Sequence, residues 1–444
     1  MDQRRRGRHL SRRDFIAATG LAGAGLLLAR CGGTSTPTQT AGRFGTGSGY
    51  DGPKVSLEFW NGFTGGDGPV MKELIERFNS ETDNVEISMR VLEWADYYTK
   101  VPQAVASGRG PDLGVMHIDQ LATNAARNVI LPLDEVAEVL ELEEGDFAPE
   151  VWTAGIYNDQ RYGIPLDVHP LGFYYNRAHL EEAGISQPPQ TAADYEDAIK
   201  ALQDAGHETP FWVTATWPAH LMFASLLWQF GGELYSEDAA EATFNSDAGV
   251  EALSWLVQNV ENGYSPKDVA NDAQAVAFRN QENSLTWDGI WMINEWAKVG
   301  DLEWGVAPLP TIGDQAGVWG SSHNIVVMRQ AEQDDNKLQA AKAFIAWLSE
   351  HSIEWAKAGQ IPARNSVRES DEFQQLDAQS TLAAQLPAVH FPPAVPGIGE
   401  ITTPTFETAV NEAVLMRKSP KVALDEAASR ANDLLEENRQ KYGS

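Results

Sequence analysis

Cysteine is almost absent from this chain of 444 residues, and basic residues are scarce. The one cysteine, Cys31, excludes an internal disulfide and any metal site built from several thiolates. The chain has 33 lysine and arginine residues against 63 aspartate and glutamate residues, so its formal net charge at pH 7 is −30. Because phosphate groups and anionic lipids repel such a surface, the composition argues against binding to nucleic acid or to an anionic membrane surface.

Several motifs of catalysis and metal binding are also missing. No glycine-rich P-loop occurs, so ATP hydrolysis must belong to separate partner subunits. The 9 histidines show no H-E-x-x-H or similar spacing, and we therefore expect His323 to form hydrogen bonds and not to bind a metal. The sequence predicts no cofactor.

Residues 1–31 have the pattern of an export signal. Arginines are concentrated before residue 14, and residues 11–16 (SRRDFI) resemble the twin-arginine motif. The apolar run at residues 15–29 is shorter than the ~20 residues that a membrane-spanning helix needs. We therefore set this segment apart from the fold.

A lipid-attachment site and a tether follow the signal. Residues 28–31 (LARC) resemble a bacterial lipobox, in which Cys31 becomes lipidated, although Arg30 stands where a small residue is usual. Residues 32–53 are rich in Thr, Gly, Ser and Pro, which is typical of a flexible tether. The sequence thus predicts an exported domain, held at the outer face of the cytoplasmic membrane or located in the periplasm or outside the cell.

The rest of the chain predicts an α/β architecture. A chain of this length exceeds one ordinary hydrophobic core and suggests two domains or lobes. Residues 54–60 and 85–91 alternate between apolar and polar as strands do, and residues 69–79 have helical spacing. This strand, helix, strand order is typical of a mostly parallel sheet, which binds ligands beyond the carboxyl ends of its strands. Trp60, Asn61 and Phe63 would then lie at a binding edge, as would Asp119 and Gln120 after the next apolar run.

Tryptophan is concentrated in one stretch. Residues 285–324 contain five of the 14 tryptophans, namely Trp287, Trp291, Trp296, Trp304 and Trp319. Indole rings suit a protein core, but they also stack on the apolar faces of sugars. In the same stretch, Asp288 and Gly289 stand at a predicted strand-to-helix turn, where free backbone N–H groups are able to donate to a ligand.

The order of short motifs along the chain carries a family resemblance. The segments are LEFW at 57–60, GPDLGV at 110–115, LPL at 131–133, GIPL at 163–166, FYYNR at 173–177, LTWDGIW at 285–291, GVAPLP at 305–310, AAKAFIAW at 340–347 and IPAR at 361–364. In this order, behind a lipoprotein-type signal, they resemble the extracellular solute-binding proteins of family 1. These are the sugar-binding subunits of ABC transporters that include the maltose-binding type, and the resemblance extends from about residue 54 to the C-terminus.

The resemblance implies a two-lobed periplasmic-binding-protein type II fold, with a ligand cleft between the lobes. One lobe would comprise residues 54–164 and 308–352, and the other residues 165–307 and 353–444. Crossings between lobes would lie near Pro165 and near Pro308 to Pro310. A ligand that touches both lobes stabilises the closed form, which a membrane permease recognises. The resemblance also implies a monomer that performs no catalysis.

The resemblance also implies which side chains contact the ligand. Trp291 matches a tryptophan that commonly stacks on a sugar, and we expect Trp291 and Trp319 to face the ligand from opposite lobes. Gln120 stands where the maltose-binding type has a basic residue, and His169 where an acid binds, so the hydrogen-bonding pattern differs from that type. Arg364 is equally compatible with a structural ion pair near the hinge. The full predicted set is Trp60, Asn61, Phe63, Asp119, Gln120, Asp167, His169, Trp217, Asp288, Trp291, Trp319, Ser321, His323 and Arg364, whereas Trp287, Trp296 and Trp304 are predicted to pack in the core.

Three kinds of function remain open on the sequence. The first is binding of a neutral sugar or oligosaccharide, for which tryptophans and scattered carboxylates and amides are suited. The second keeps the fold but binds another solute, such as a polyamine, a metal complex or glycerol phosphate, and a phosphate ester would favour more basic side chains in the cleft. The third is an exported glycoside hydrolase, which would need two carboxylates about 5 or 6.5–9.5 Å apart. Release of reducing sugar would distinguish the third from the first.

Overall fold

The computed structural model describes residues 43–45 and 49–443. The predicted export signal, Cys31 and most of the tether lie outside these described residues. Residues 41–444 form one compact unit. Among the described residues, no helix is both long enough and apolar enough to cross a bilayer.

The described residues form thirteen strands and eighteen α-helices. The strands are β1 (Val55–Asn61), β2 (Val85–Val91), β3 (Leu113–His117), β4 (Ile156–Tyr157), β5 (Gln160–Arg161), β6 (Ile164–Pro165), β7 (Asp167–Asn176), β8 (Leu285–Gly289), β9 (Trp304–Ala307), β10 (Val318–Ser321), β11 (His323–Val327), β12 (Ile361–Pro362) and β13 (Val389–His390). The helices are α1 (Asp67–Glu81), α2 (Trp94–Ala106), α3 (Ile118–Ala126), α4 (Asp134–Val139), α5 (Pro149–Ala154), α6 (Arg177–Glu182), α7 (Ala192–Asp204), α8 (Ala219–Gln229), α9 (Asp247–Glu261), α10 (Ala273–Arg279), α11 (Ile293–Ala297), α12 (Asp335–Glu350), α13 (Ser352–Ala356), α14 (Asn365–Arg368), α15 (Asp371–Gln374), α16 (Asp377–Ala383), α17 (Thr408–Val414) and α18 (Pro420–Tyr442).

The first lobe is built on a five-stranded sheet in the order β2-β1-β3-β11-β6. Strand β1 runs parallel to β2 and β3, and β11 runs antiparallel to β3 and β6. Apolar side chains on one face of β1 meet helices α1 and α12: the rings of Phe59 and Phe78 lie 5.8 and 5.0 Å from that of Phe344. The predicted strand, helix, strand order at the start of the fold is confirmed by β1, α1 and β2.

The second lobe is built around β7, a ten-residue strand that is buried along almost its whole length. It pairs with β12 and β10 in its first half and with β8 and β9 in its second half. Helix α8 packs here with every residue buried, as its apolar sequence predicts. Thr191 caps helix α7 through a capping box, in which the side chains of Thr191 and Asp194 bond to each other's backbone N–H groups.

The chain crosses from one sheet to the other at three places, the last of them between α12, which packs in the first lobe, and β12, which pairs with β7. The first crossing, at Leu166 between β6 and β7, agrees with the prediction near Pro165. The second was predicted near Pro308 to Pro310, and this is wrong, because β9 and β10 on either side of those prolines both pair with β7. Prolines end a strand without fixing where the chain goes next. The second crossing is at Ser322, between β10 in the second sheet and β11 in the first.

Candidate functional site

Strand register brings three histidines together beside the first two crossings. His117 at the end of β3 lies opposite His323 at the start of β11, and His169 on β7 lies opposite Ser321 on β10. The ring centroids of His169 and His323 are 4.1 Å apart, and those of His117 and His323 are 4.8 Å apart. One ring nitrogen from each histidine lies within 4.8 Å of the other two. We call His117, His169 and His323 the histidine cluster.

Asp167 is the hydrogen-bond acceptor at the base of this cluster. It is fully buried, and its carboxylate accepts from His323 Nδ1 at 2.8 Å, from His169 Nδ1 at 3.0 Å and from the indole N–H of Trp355 at 2.7 Å. The backbone N–H of His323 donates to it at 2.9 Å. Burial opposes ionisation, but the interaction with His323 and the bonds from both imidazoles hold the pKa of Asp167 well below its usual range. Burial lowers the pKa of His169 to about 4.

Three half-buried tryptophans surround His169, and we call Trp217, Trp291 and Trp319 the tryptophan cage. The centroids of Trp291 and Trp319 each lie 6.1 Å from that of His169, and Trp217 lies 5.9 Å from Trp291. Alternation along β10 places Trp319 on the same face as Ser321. Trp319 lies on β10 of the second sheet and Trp291 lies in the turn after β8 of the same sheet, so the expectation that Trp291 and Trp319 face the ligand from opposite lobes is wrong.

A glycine makes room for the central ring of the cage. A Cβ atom added at Gly289 would lie 2.1 Å from the indole of Trp291, so no other residue fits there without displacing that ring. The other tryptophans of this stretch do pack as predicted. Trp287 and Trp296 are fully buried, and half-buried Trp304 lies 6.2 Å from Tyr174.

The first lobe supplies a second aromatic wall against the histidine cluster. The ring of Phe63 lies 5.0 Å from that of His323 and 4.9 Å from that of Trp355. Trp94 stacks on His323 at 5.6 Å with an interplanar angle of 16°, and it lies 4.4 Å from His117. The Tyr98 hydroxyl lies 2.5 Å from His117 Nδ1, with which it shares a hydrogen bond.

The predicted set did not include Trp94, Tyr98, His117 or Trp355. A usable signal was present for two of them. Trp94 opens the helix that follows β2, at the carboxyl edge that also holds Asn61 and Asp119, and Tyr98 lies one turn later on the same helix face.

Three carboxylic acids, Asp67, Asp119 and Asp288, stand within four residues of these rings in the chain. Burial raises the pKa of Asp119 to about 6, that of Asp67 to about 6 and that of Asp288 to about 7. Gln120 donates to Asp119 at 3.2 Å, Gln360 to Asp67 at 3.3 Å, and Gln274 to Asp288 at 3.0 Å. Within the described residues, none of the three carboxyl groups forms a salt bridge with lysine or arginine. The site therefore carries acids and amides but no paired cation.

Three residues that were predicted to contact the ligand instead bond to other protein groups and have structural roles. Alternation along β1 turns the Trp60 side chain toward helix α2, where it is buried with Tyr97 and Met116. Its indole N–H donates to Glu58 at 3.2 Å, and the Arg90 guanidinium covers its ring. Asn61 is fully buried and accepts the backbone N–H of Phe63 at 3.2 Å, which shapes the turn after β1.

Arg364 is the third of these residues. It donates to Asp146 at 2.8 Å, so the alternative of a structural ion pair is confirmed. Its position just after β12, beside the 3-10 turn Glu144–Asp146, directs it to that carboxylate.

The lobes also contact each other away from the rings. Arg127, directly after α3, donates to both carboxylate oxygens of Glu400 at 2.5 and 2.8 Å. Glu400 ends the 3-10 turn Ile398–Glu400, whose Ile398 packs in the core of the second lobe. Thr123 of α3 accepts the backbone N–H of Gly397 at 2.7 Å. These contacts join the first lobe to the second.

The fold agrees with comparisons to known proteins. The model of a family described as bacterial extracellular solute-binding protein matches residues 73–381. The chain belongs to this family. This solute-binding protein is 23% identical over 445 residues to the diacetylchitobiose binding protein of Streptomyces coelicolor. The alignment covers 96% of this chain and 99% of that protein. It is 23% identical over 415 residues to the sn-glycerol-3-phosphate-binding periplasmic protein of Salmonella typhimurium, covering 86% of this chain and 92% of that protein.

Solved structures show the same fold. The GacH receptor of Streptomyces glaucescens, solved without ligand and in complex with acarbose, superposes with a TM-score of 0.78 at 19% identity. The match covers 86% of this chain and 99% of the receptor. The predicted two-lobed periplasmic-binding-protein fold and the predicted family are thereby confirmed, and membership of an extracellular family makes this solute-binding protein an exported one.

Proposed function

We propose that this solute-binding protein binds a neutral sugar or oligosaccharide in the cleft between its lobes and delivers it to an ABC-transporter permease. The observation that carries the proposal is the tryptophan cage. Its rings are half-buried, in contrast to the fully buried Trp287 and Trp296, so they retain surface for a ligand. Indole faces stack on the C–H faces of sugar rings, and the nearby polar groups are able to bond to hydroxyls.

The charges beside the cage favour a neutral ligand over a phosphate ester. Phosphate recognition uses arginine or lysine, often in bidentate contacts. The guanidinium groups of Arg127 and Arg364 are bonded to Glu400 and Asp146, whereas the acids Asp119 and Asp288 stand within three residues of His117 and Trp291 in the chain. Glycerol phosphate, which the Salmonella relative is named for, therefore fits this cleft less well than a sugar. Whether the cleft binds a cationic polyamine is decided by the binding test described below.

Closure of the cleft is the proposed mechanism of delivery. The first lobe would comprise about residues 54–165 and 323–350, and the second about residues 167–321 and 353–443. The crossings at Leu166, at Ser322 and between α12 and β12 would act as hinges. A sugar held between the cage and the wall of Phe63 and Trp94 touches both lobes, so it stabilises the closed form by its differential affinity. The permease would recognise that form.

We propose binding without catalysis. The family consists of binding proteins. The acids nearest the rings are engaged with amides: Asp288 bonds to Gln274 and to the backbone N–H of Gly289, and Asp119 bonds to Gln120. Neither arrangement supplies the pair of carboxylates that flank a glycosidic bond in a hydrolase.

Residues 1–53 would deliver and hold the domain. We propose export through the twin-arginine signal, lipidation of Cys31 and attachment of a monomer to the outer face of the cytoplasmic membrane by the tether. The LARC sequence and the composition of residues 32–53 support this arrangement.

A thermal-shift screen tests the proposed ligand class. A ligand that binds only the folded protein raises its melting temperature in proportion to the logarithm of its concentration. The panel contains mono- and oligosaccharides, glycerol phosphate and spermidine. The proposal predicts a shift that grows with the concentration of a neutral saccharide, and a shift with glycerol phosphate or spermidine alone would contradict it.

A further inference from the structure

We infer that His117, His169 and His323 together bind one divalent transition-metal ion, with Zn²⁺ the best match to three imidazole donors. This inference is independent of the proposed sugar binding. It also departs from the sequence-based expectation of no metal site, because the three histidines lie on strands β3, β7 and β11 and show no local spacing. Sheet register, and not a motif, brings them together.

The first support is the donor geometry. One nitrogen from each ring lies within 4.8 Å of the other two. In a tetrahedral zinc site with Zn–N distances of about 2.0–2.1 Å, donor nitrogens lie roughly 3.3 Å apart. Binding an ion therefore requires the farthest pair to approach by roughly 1.5 Å, which rotation of imidazole side chains on fixed strands can supply.

The second support is the partner of each Nδ1 atom. His169 and His323 both bond through Nδ1 to Asp167, and His117 shares a bond with the Tyr98 hydroxyl. Histidines that ligate a metal almost always bond through their other nitrogen to a carboxylate or a comparable acceptor, which fixes the ring. With Nδ1 held in this way, Nε2 is the nitrogen left to bind the ion.

The third support is an unused buried nitrogen. His169 is only 1% exposed, and its Nε2 atom has no hydrogen-bond partner in the described part of the chain. A buried polar atom without a partner costs about 1–3 kcal/mol. Packing of neutral histidines around Asp167 would explain the bonds to Nδ1 but leaves this atom unexplained, whereas an ion would bond to it.

The fourth support is the local charge. Asp167 and Asp67 are buried, and no lysine or arginine nitrogen bonds to either carboxylate within the described residues. Burying a carboxylate without a compensating cation is unfavourable. A divalent ion at the histidine cluster would supply positive charge beside both groups. Three nitrogens leave at least one position on a four-coordinate ion for water or an oxygen of a solute.

Titration calorimetry of the purified protein with ZnSO₄ tests this inference. The protein carries no histidine tag and is first treated with chelator and exchanged into chelator-free buffer. We expect saturable binding of one ion per chain and a rise in melting temperature. His117→Ala, His169→Ala and His323→Ala should each weaken binding at least 100-fold, and Tyr98→Phe should weaken it about 10- to 100-fold through the lost partner of His117.

The chain offers a matched control in a second histidine pair. His179 and His207 stack at 3.9 Å, but among the described residues they belong to no group of three or more potential metal ligands, so His207→Ala should leave zinc binding unchanged. Should a core histidine variant fail to fold, Tyr98→Phe and the visible absorption of the Co²⁺-loaded wild-type protein still decide the question, since tetrahedral Co²⁺ bound to nitrogen absorbs strongly. Absence of saturable zinc binding, or binding that all three histidine variants retain, would overturn the inference. Sugar binding that persists after chelation leaves the proposed function intact.

Discussion

The indole rings of Trp217 and Trp291 lie 5.9 Å apart at an interplanar angle of 31°, although they come from separate parts of the chain. Trp217 precedes α8, and Trp291 follows the strand β8. Together with Trp319 on β10 they form one wall from a single lobe, while Phe63 and Trp94 form the facing wall from the other. In the proposed function, a solute between the walls would contact both lobes, which would link binding to closure.

The pair of Arg127 and Glu400 should stabilise the closed form. Arg127→Ala removes a bidentate contact between the lobes, and a partly exposed ion pair contributes about 0.5–1 kcal/mol. We therefore expect solute binding to weaken about two- to fivefold, and the radius of gyration of the ligand-free protein in small-angle X-ray scattering to increase.

Lys72→Ala is the control for this experiment, because Lys72 pairs with Glu76 within the single helix α1. It should change neither affinity nor radius of gyration. An Arg127→Ala protein with the affinity and the scattering of the wild type would show that this contact does not bias closure.

Asp288 should make stability fall as pH rises. Burial raises the pKa of its carboxyl to about 7 from the usual 3.8. The folded protein therefore keeps a proton that the unfolded chain releases, and this group's contribution to stability is lost as pH rises from about 4 through 7. Asp288→Asn removes the titration, and the introduced amide is able to donate to the unpartnered Oε1 of Gln274.

Urea titrations give the free energy of unfolding of each protein. We expect the value for Asp288→Asn minus that for wild type to increase by about 2 kcal/mol as pH rises from 5 to 8. Exposed Asp204 provides the control, since Asp204→Asn should follow the wild-type pH profile. A constant difference between Asp288→Asn and wild type across this range would contradict the assignment.

Lipidation of Cys31 should determine where the protein resides. Acyl chains anchor a protein with about 0.8 kcal/mol for each buried CH₂ group, and the tether has no apolar run to replace them. In fractionated cells, Cys31→Ser should move the protein from the membrane fraction to the soluble fraction, whereas Ser35→Ala should leave it on the membrane. Membrane attachment that survives Cys31→Ser would exclude the lipid anchor.

Much of the fold follows from local sequence patterns. Alternation in β1 and β2 and the helical spacing of α1 are each decided by residues close in sequence, and each was predicted. The route between lobes was not predictable in this way. Whether β10 pairs with β7 or with a strand of the first sheet depends on contacts between distant segments, so the prolines at 308 and 310 indicated a break but not the crossing at Ser322.

The candidate site shows the same limit at single residues. Trp291, Trp217, Asp167 and His169 were identified and lie together, but Trp60 and Arg364 have partners that only the fold supplies, namely Arg90 and Asp146. The histidine cluster was invisible in the sequence because each member lies on a different strand. Residue type and position at a strand end suggest which residues are candidates for the site, and the register of strand pairing decides which of these residues lie together.

Calorimetric titration of wild-type and Trp291→Ala proteins with the best saccharide from the thermal-shift screen tests the central claim most directly. Loss of a stacking ring at the centre of a binding site costs about 2 kcal/mol or more, so we expect binding at least 30-fold weaker. Half-buried Trp212, whose indole bonds to Thr209, lies outside the cage, and Trp212→Ala should bind as wild type does. Wild-type affinity in a folded Trp291→Ala protein would contradict sugar binding at the tryptophan cage.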